Sequence, residues 1–526
     1  MLGLEIVVVL GTAVLVCSGL ARRFRLAPPI LLLTSGILLG FVPALRAMQL
    51  PPEVVLFLFL PVLLFWESLT TSLREIRANL RGIVLTSTVL VAVTAAAVAF
   101  VAHLLGMPWG PAWVLGAAVA PTDATAVGSF TRDLPRRTVT TLRAESLVND
   151  GTALVIYGLA VAVVAGNDNA TPVRIGWLVV LAYGGGALIG FVLAWVVRKL
   201  RNRIDDPLQE TVLTILTPFV AYLVAESVGS SGVLAVVISG LALSQVAPRR
   251  DRAAARRKSN AFWSLLTFLL NASLFVLVGL QLQSAVRALN ANAIMSGLVS
   301  VAIVSVALIV VRIAFLFLAA YAIRAIDRRP QQRLRRISNR ARILSGLSGF
   351  RGAVSLAAAL GVPLVLSTGE KFPDRDVIVF ITSGVIVVTL VVQGLLLPTV
   401  VRWAALPRDS AVSEERRLAE LTATEHALIV LPEVARDLQV EAVVEDRARR
   451  AYEAHLRLIR SEETEGEDEE VCRDRQYRLL RAEIVNRKRE AVVQLRDDKR
   501  IDDTVLRQVE ANLDIEEIRL LPRETD

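Results

Sequence analysis

Glu145, Ser146, Asn149 and Asp150 stand at the head of a run that is otherwise apolar to about residue 165. Their spacing of i, i+1, i+4 and i+5 puts them on one helical face. Two carboxylates, an amide and a hydroxyl on one face are hard oxygen donors, suited to a hard cation. Away from water the charged form of a carboxylate is costly. Binding a cation and binding a proton then become alternatives at the same oxygens, which is a chemical basis for exchange. An ionisable residue inside a bilayer rarely meets lipid; it faces a pathway and carries a partner. Asp150 is the central candidate, because it lies near the middle of a helix expected from about Thr138 to Ala165.

A second group follows Pro121 in "GAAVAPTDATAVGSF": Thr122, Asp123 and Thr125. Proline removes a backbone donor and disfavours helix at Ala120. Unwound backbone at membrane depth is tolerated only where it faces protein or a wet cavity. A broken helix carrying part of a site is the reading, against a kinked structural helix in which Asp123 satisfies nearby backbone. A third group is "RILSGLSGFRGAVSLAAALGVPLVL", where Ser345, Gly346, Ser348, Gly349 and Gly352 weaken a helix around Arg351. Arg351 is a fixed positive charge that needs a counter-ion, and Glu145 is the one expected. Asp150, Asn149, Ser146, Thr122 and Asp123 form the expected ion and proton site, with Na+ or K+ held at Asp150, Thr122 and Ser146. Glu67, in "FLPVLLFWESLTTSLREIR", either joins that site or pairs with Arg74 at an interface. Asn271 and Arg312 are further polar residues in apolar runs, read as holding the bundle together.

The elements that position these residues are hydrophobic. The chain of 526 residues is 54% hydrophobic, with a mean hydropathy of +0.55. Roughly thirteen apolar runs have the length needed to cross a bilayer core. They lie near 3–20, 29–45, 52–67, 82–106, 109–130, 138–165, 173–197, 207–227, 231–247, 261–283, 292–323, 342–366 and 376–403. The first lacks the basic n-region and cleavage site of a signal peptide and is read as a span. The net charge of +9 does not point to nucleic acid, because of where it falls. Connections after odd-numbered runs hold clusters such as Arg22, Arg23 and Arg25, or Arg249, Arg250 and Arg252. Connections after even-numbered runs hold single residues such as Arg46, Arg174 and Arg287. This alternation is the positive-inside pattern. It puts the N-terminus outside and the C-terminus in the cytoplasm.

The expected fold class is an all-α polytopic membrane protein of about thirteen spans, divided six, one and six, so that two halves have inverted topology. The two interrupted spans, the fifth of each half, then correspond, which is where a transport site is expected. Residues 1–405 form the expected transmembrane domain and 406–526 a helical cytoplasmic tail. In the tail, "SEETEGEDEE" reads as a solvated linker, and Leu480, Ile484, Ala491 and Leu495 recur at helical spacing. "KRIDDTVLRQVEANLDIEEIRLL" reads as a short amphipathic helix pair. The tail is read as regulation or dimer contact, or as a solvated appendage. Cys17 and Cys472 offer no disulfide framework or metal cluster, His103, His426 and His455 do not cluster, and no cofactor is expected. Arginine far outnumbers lysine, a bias of GC-rich genomes that points to a bacterial inner membrane.

Together "PTDATAV", "ESLVNDGTALV", "SGVLAVVISGLAL", "FLLNASLFVLVGLQL" and "GFRGAVSLAAAL" resemble the monovalent cation:proton antiporter-1 family of bacterial sodium/proton antiporters. The likeness runs through nearly the whole membrane domain in order. It implies an ion-binding aspartate at Asp150 preceded by Asn149, an unwound pair at Thr122 and Asp123, a buried ion pair of Glu145 with Arg351, and Glu67 as the glutamate of the third span. Trp66 intervenes before Glu67, and Ala124 stands where many members have proline. The resemblance implies electroneutral exchange of one cation for one proton by a homodimer, and no enzyme. Relatives that move two protons per sodium carry a second aspartate where this chain has Asn149. A passive monovalent cation channel is the alternative. An intramembrane aspartyl protease using Asp123 and Asp150 is a remote one, which leaves Asn149, Glu145 and Arg351 without a role.

Overall fold

A computed structural model describes residues 2–24, 27–43, 55–123, 126–127, 136–165, 176–177, 179–204, 206–245, 253–326, 338–366, 369–406, 411–461, 469–498, 500 and 503–520. Ala124, Thr125, the basic connections at 128–135, 246–252 and 327–337 and the acidic stretch 462–468 lie outside the described residues. Each apolar run carries helix, and among the described residues the only β pairing is a bridge between Val365 and Lys371. Hydrocarbon imposes helix, since a backbone N–H or C=O has no water to turn to there.

In chain order the helices are α1 (Leu2–Phe24), α2 (Pro28–Leu39), α3 (Leu60–Thr70), α4 (Leu73–Leu104), α5 (Trp109–Val119), α6 (Arg136–Val164), α7 (Gly186–Arg201) and α8 (Pro207–Ser227). They continue with α9 (Gly232–Ser244), α10 (Ala253–Ala288), α11 (Ala291–Ile326), α12 (Asn339–Leu347), α13 (Ala353–Leu360), α14 (Arg375–Val388) and α15 (Gly394–Ala404). A π-turn, Thr389–Gln393, joins α14 to α15. By length and composition, 7 helical segments among the described residues suffice to cross a membrane. Shorter apolar helices, α2, α3, α5 and α9 among them, fill the space between. Several starts are fixed by side chains that accept an otherwise unpaired N–H. Asp206 accepts from Leu208 N at 3.0 Å, Ser231 from Leu234 N at 3.3 Å and Ser338 from Ala341 N at 3.1 Å.

Position in the bundle follows composition. Along α5 every residue from Pro111 to Val119 is buried except Trp113, as suits a helix apolar on all sides. On α7, Leu188, Phe191, Val192 and Trp195 are exposed, forming a face for lipid. Where helices touch closely, glycine allows it. A Cβ on Gly36 of α2 would overlap the Val276 carbonyl, and one on Gly279 of α10 would overlap the Leu33 carbonyl. Small residues at such contacts bring backbones together in a membrane, where apolar burial gives little drive for association.

The chain divides into two compact units, Met1–Arg408 and Asp409–Asp526. The second unit contains α16 (Ala411–Asp437), α17 (Ala442–Ser461), α18 (Glu469–Asp497) and α19 (Asp503–Leu520). Of the segment read as a helix pair, the described residues 503–520 form a single helix, α19, lying against α18. Arg481 and Lys488 meet Glu516 at 2.8 and 3.0 Å, and Arg489 meets Asp514 and Glu517 at 2.7 Å each. The segment is helical, and among its described residues Val485 is buried while Leu480 and Ile484 stay exposed.

Replacing Gly279 by Val will force α2 and α10 apart, at about 1–3 kcal/mol or more for an overpacked contact. The melting temperature of the purified protein in detergent will fall. Gly19→Ala is the control, because nothing lies within 4 Å of its Cβ position, and it will melt like the parent.

Candidate functional site

Two helices stop in the middle of the membrane unit and cross there. α5 ends at Val119, and Pro121, Thr122 and Asp123 are not helical. α12 ends at Leu347 and α13 begins at Ala353, leaving Ser348 to Gly352 between them. A helix that stops strands carbonyls at its end, and the crossing supplies their partners. Asp123 N donates to the Phe350 carbonyl at 2.8 Å. Arg351 Nε donates to the Val119 carbonyl and Nη1 to the Gly349 carbonyl, both at 2.6 Å. Its charge thus sits at the C-terminal end of α5, the negative end of that helix dipole. Arg351 N also donates to Thr389 Oγ1 at 3.4 Å, which ties the crossing to the π-turn. Gly352 permits the approach, since a Cβ there would overlap Asp123 Oδ2. Asp123 Oδ1 accepts from Ala126 N at 3.4 Å. Its carboxylate therefore caps the backbone just after the first break, beside the start of α13.

α6 holds the unwound segment in place. Ser146 Oγ donates to the Thr122 carbonyl at 2.8 Å. Asn149 is fully buried, and its amide lies 3.0 Å from Thr122 Oγ1. With the amide oxygen toward Thr122 it accepts from that hydroxyl, and Nδ2 donates to the Glu145 and Ser87 carbonyls at 3.2 Å each. The opposite orientation would set the amide oxygen against those two acceptors, so this assignment stands. Asn149 is thereby a clasp between α4, α6 and the first break.

Around this frame lies a cavity. Glu67, Thr122, Asp123, Ser146, Asp150, Asn271 and Ser355 line it. The expected residues Asp150, Ser146, Thr122 and Asp123 are brought together. Glu67 joins them: among the described residues it makes no ion pair with Arg74, and its Oε1 is buried without a partner. Trp66, which separates Glu67 from Phe65, stacks on Trp263 at 5.7 Å. It packs away from the cavity and leaves Glu67 facing it.

Two expectations change. Glu145 does not take Arg351 as its close ion partner. Arg312 Nη1 of α11 stands 2.7 Å from Glu145 Oε1, with both side chains largely buried. The contact is a charge pair without hydrogen-bond alignment. Arg312 Nε is anchored on the Ser345 carbonyl at 3.1 Å, while Arg351 is spent on the carbonyls of the breaks. The physical reason is that stranded carbonyls claim the guanidinium nearest to them. Asn271 is the second change, because it lines the cavity instead of bracing the bundle. Arg312 carried a usable signal in the sequence, since an arginine within an apolar span requires a counter-charge. Ser355 carried none.

Residues 10–403 match the transmembrane sodium/hydrogen exchanger family. The chain belongs to that family. Over 522 residues this family member is 43% identical to an uncharacterized Na+/H+ exchanger of Mycobacterium tuberculosis, covering 99% of this chain and 96% of the relative. It is 30% identical over 403 residues to a sodium, potassium, lithium and rubidium/H+ antiporter of Bacillus pumilus, covering 73% of this chain and 60% of that one. The fold resembles a sodium/proton antiporter structure from Methanocaldococcus jannaschii, with a TM-score of 0.59 at 18% identity, covering 77% of this chain and all of that one. These relatives are transporters, not enzymes.

Arg312→Leu will leave Glu145 buried without its 2.7 Å partner. Breaking one side of a buried pair costs about 3–5 kcal/mol, so the melting temperature will drop sharply. Adding Glu145→Leu will recover part of the loss, and the non-additivity of the double-mutant cycle measures the pair.

Proposed function

We propose that this exchanger-family protein exchanges a monovalent cation (Na+, with K+ or Li+ as further substrates) for a proton across the membrane. The carrying observation is the cavity at the crossing of two broken helices, where Asp150 lies among oxygens of Glu67, Thr122, Asp123 and Ser146. The named relatives support cation/proton exchange as the class of reaction. Cation and proton compete for the Asp150 carboxylate. A protonated Asp150 is neutral and repels no partner; an ionised one attracts a hard cation. Asn149 has no proton to give, and its amide is committed to Thr122, Glu145 and Ser87. One titrating carboxylate at that pair supports electroneutral exchange, one cation against one proton.

The cycle is alternating access in a bundle of thirteen spans built as two inverted halves. The correspondence of the breaks after α5 and α12 supports this plan. The arginine clusters support an orientation with the N-terminus outside and the tail in the cytoplasm of a bacterial cell. A homodimer is the assembly, and the tail is the candidate for its regulation.

Everted vesicles carrying the protein test the reading. A pH gradient is imposed and Na+, K+ or Li+ is added, with and without valinomycin and K+ to clamp the voltage. The cation will collapse the gradient equally in both conditions. Asp150→Asn will remove the effect, by about a hundredfold or more if the carboxylate alone carries the exchange, while melting like the parent. Cation-driven proton movement that persists in Asp150→Asn sinks the assignment. Movement that follows the voltage alone indicates a channel.

A further inference from the structure

Oxygens around the cavity fall into two sets. The first set is committed to the protein. The Thr122 carbonyl accepts from Ser146, the Thr122 hydroxyl meets Asn149, and the Asn149 amide has three partners. Asp123 is engaged at Ala126 N and lies against Gly352. These bonds hold the breaks in shape, and they leave lone pairs on Ser146 Oγ and the Thr122 carbonyl that a cation can still use.

The second set includes atoms with no partner among the described residues. Glu67 Oε1 and Ser355 Oγ are buried and make no hydrogen bond. Asp150 is 4% exposed, and its carboxylate and the Asn271 amide line the same space. These four side chains come from four helices, α3, α6, α10 and α13, and line one cavity. Buried polar groups are normally satisfied. Two such atoms, Glu67 Oε1 and Ser355 Oγ, share one space with the Asp150 carboxylate and the Asn271 amide, a donor set suited to a positive charge.

We infer that Asn271 and Ser355 complete the cation's ligand shell with Asp150 and Glu67, and that Asn271 sets the balance between cation and proton. This rests on the exchange reading above. An amide oxygen is a hard neutral donor. It binds a cation and does not take up a proton in the working pH range. It therefore raises cation affinity without raising proton affinity at the carboxylates. Ser355 Oγ acts in the same sense from the start of α13.

The test uses the full-length protein in everted vesicles, and in detergent for binding. Asn271→Ala will raise the apparent Michaelis constant for the preferred cation at least about tenfold, as for loss of one polar contact to a charge. Maximal rate at saturating cation will stay within about twofold of the parent. Asn271→Ser, which keeps a neutral oxygen, will recover part of the loss, and Ser355→Ala will shift the constant in the same direction as Asn271→Ala. Asn271→Asp keeps the shape and adds a titratable donor, so the apparent cation constant will depend more steeply on pH. In detergent, the rise in melting temperature on adding NaCl over choline chloride will shrink in Asn271→Ala. Unchanged cation constants and an unchanged cation-induced melting shift in Asn271→Ala overturn the inference. So does an unaltered pH slope in Asn271→Asp. If the unmodified protein moves no protons in response to any cation, the exchange reading fails, and the melting shift still tests the ligand shell by itself.

Discussion

A peptide group stranded in a dry interior is the constraint on which this structure depends. Helix satisfies it along nearly all of the membrane unit. At the two breaks it cannot, and each remedy at the crossing answers that need. Asp123 N reaches the Phe350 carbonyl, Arg351 collects the Val119 and Gly349 carbonyls, and Ser146 covers the Thr122 carbonyl. An unmade bond of this kind costs about 1–3 kcal/mol per group, so the polar residues here are structural before they are functional. The ion pair of Glu145 with Arg312 belongs to the same frame. It steadies α6 from the side of α11, between one and two turns before Asp150.

This division between frame and site gives α6 two kinds of work within about two turns. Ser146 and Asn149 point into the first break and hold it. Asp150 lines the cavity with its carboxylate. A single substitution on this helix therefore damages either the architecture or the ion chemistry, and thermal stability separates the two.

Much of this was legible in the chain. Proline before two oxygen-bearing residues announced the first break, and the glycine-serine spacing around Arg351 announced the second. Both are local backbone effects, and α5 and α12 stop where those effects place them. The spacing from Glu145 to Asp150 put the right residues on one face. What stayed hidden was partnership. Opposite charges can be paired from sequence only by chemistry, and two arginines, Arg312 and Arg351, were chemically eligible for Glu145. Carbonyl oxygens decided between them, and every residue has one, so no pattern displays which will be stranded. Asn271 was visible as a polar residue among apolar ones, but which way it faces depends on how α10 packs in the bundle, which no local pattern displays. In the tail, helix was readable and burial was not: α18 forms as expected, but among its described residues Val485 is buried while Leu480 and Ile484 stay exposed.

The hydrogen bond from Asp123 to Phe350 also limits where the site can open. Pulling the two breaks apart would leave a donor and an acceptor bare on both sides of the gap, and would uncover the carbonyls that Arg351 closes. The crossing therefore behaves as a keystone. It can tilt or shift as one piece, but it is a poor seam. Glu67 of α3 and Asn271 of α10 line the cavity from outside that keystone, so a tilt of the keystone reshapes the site against them.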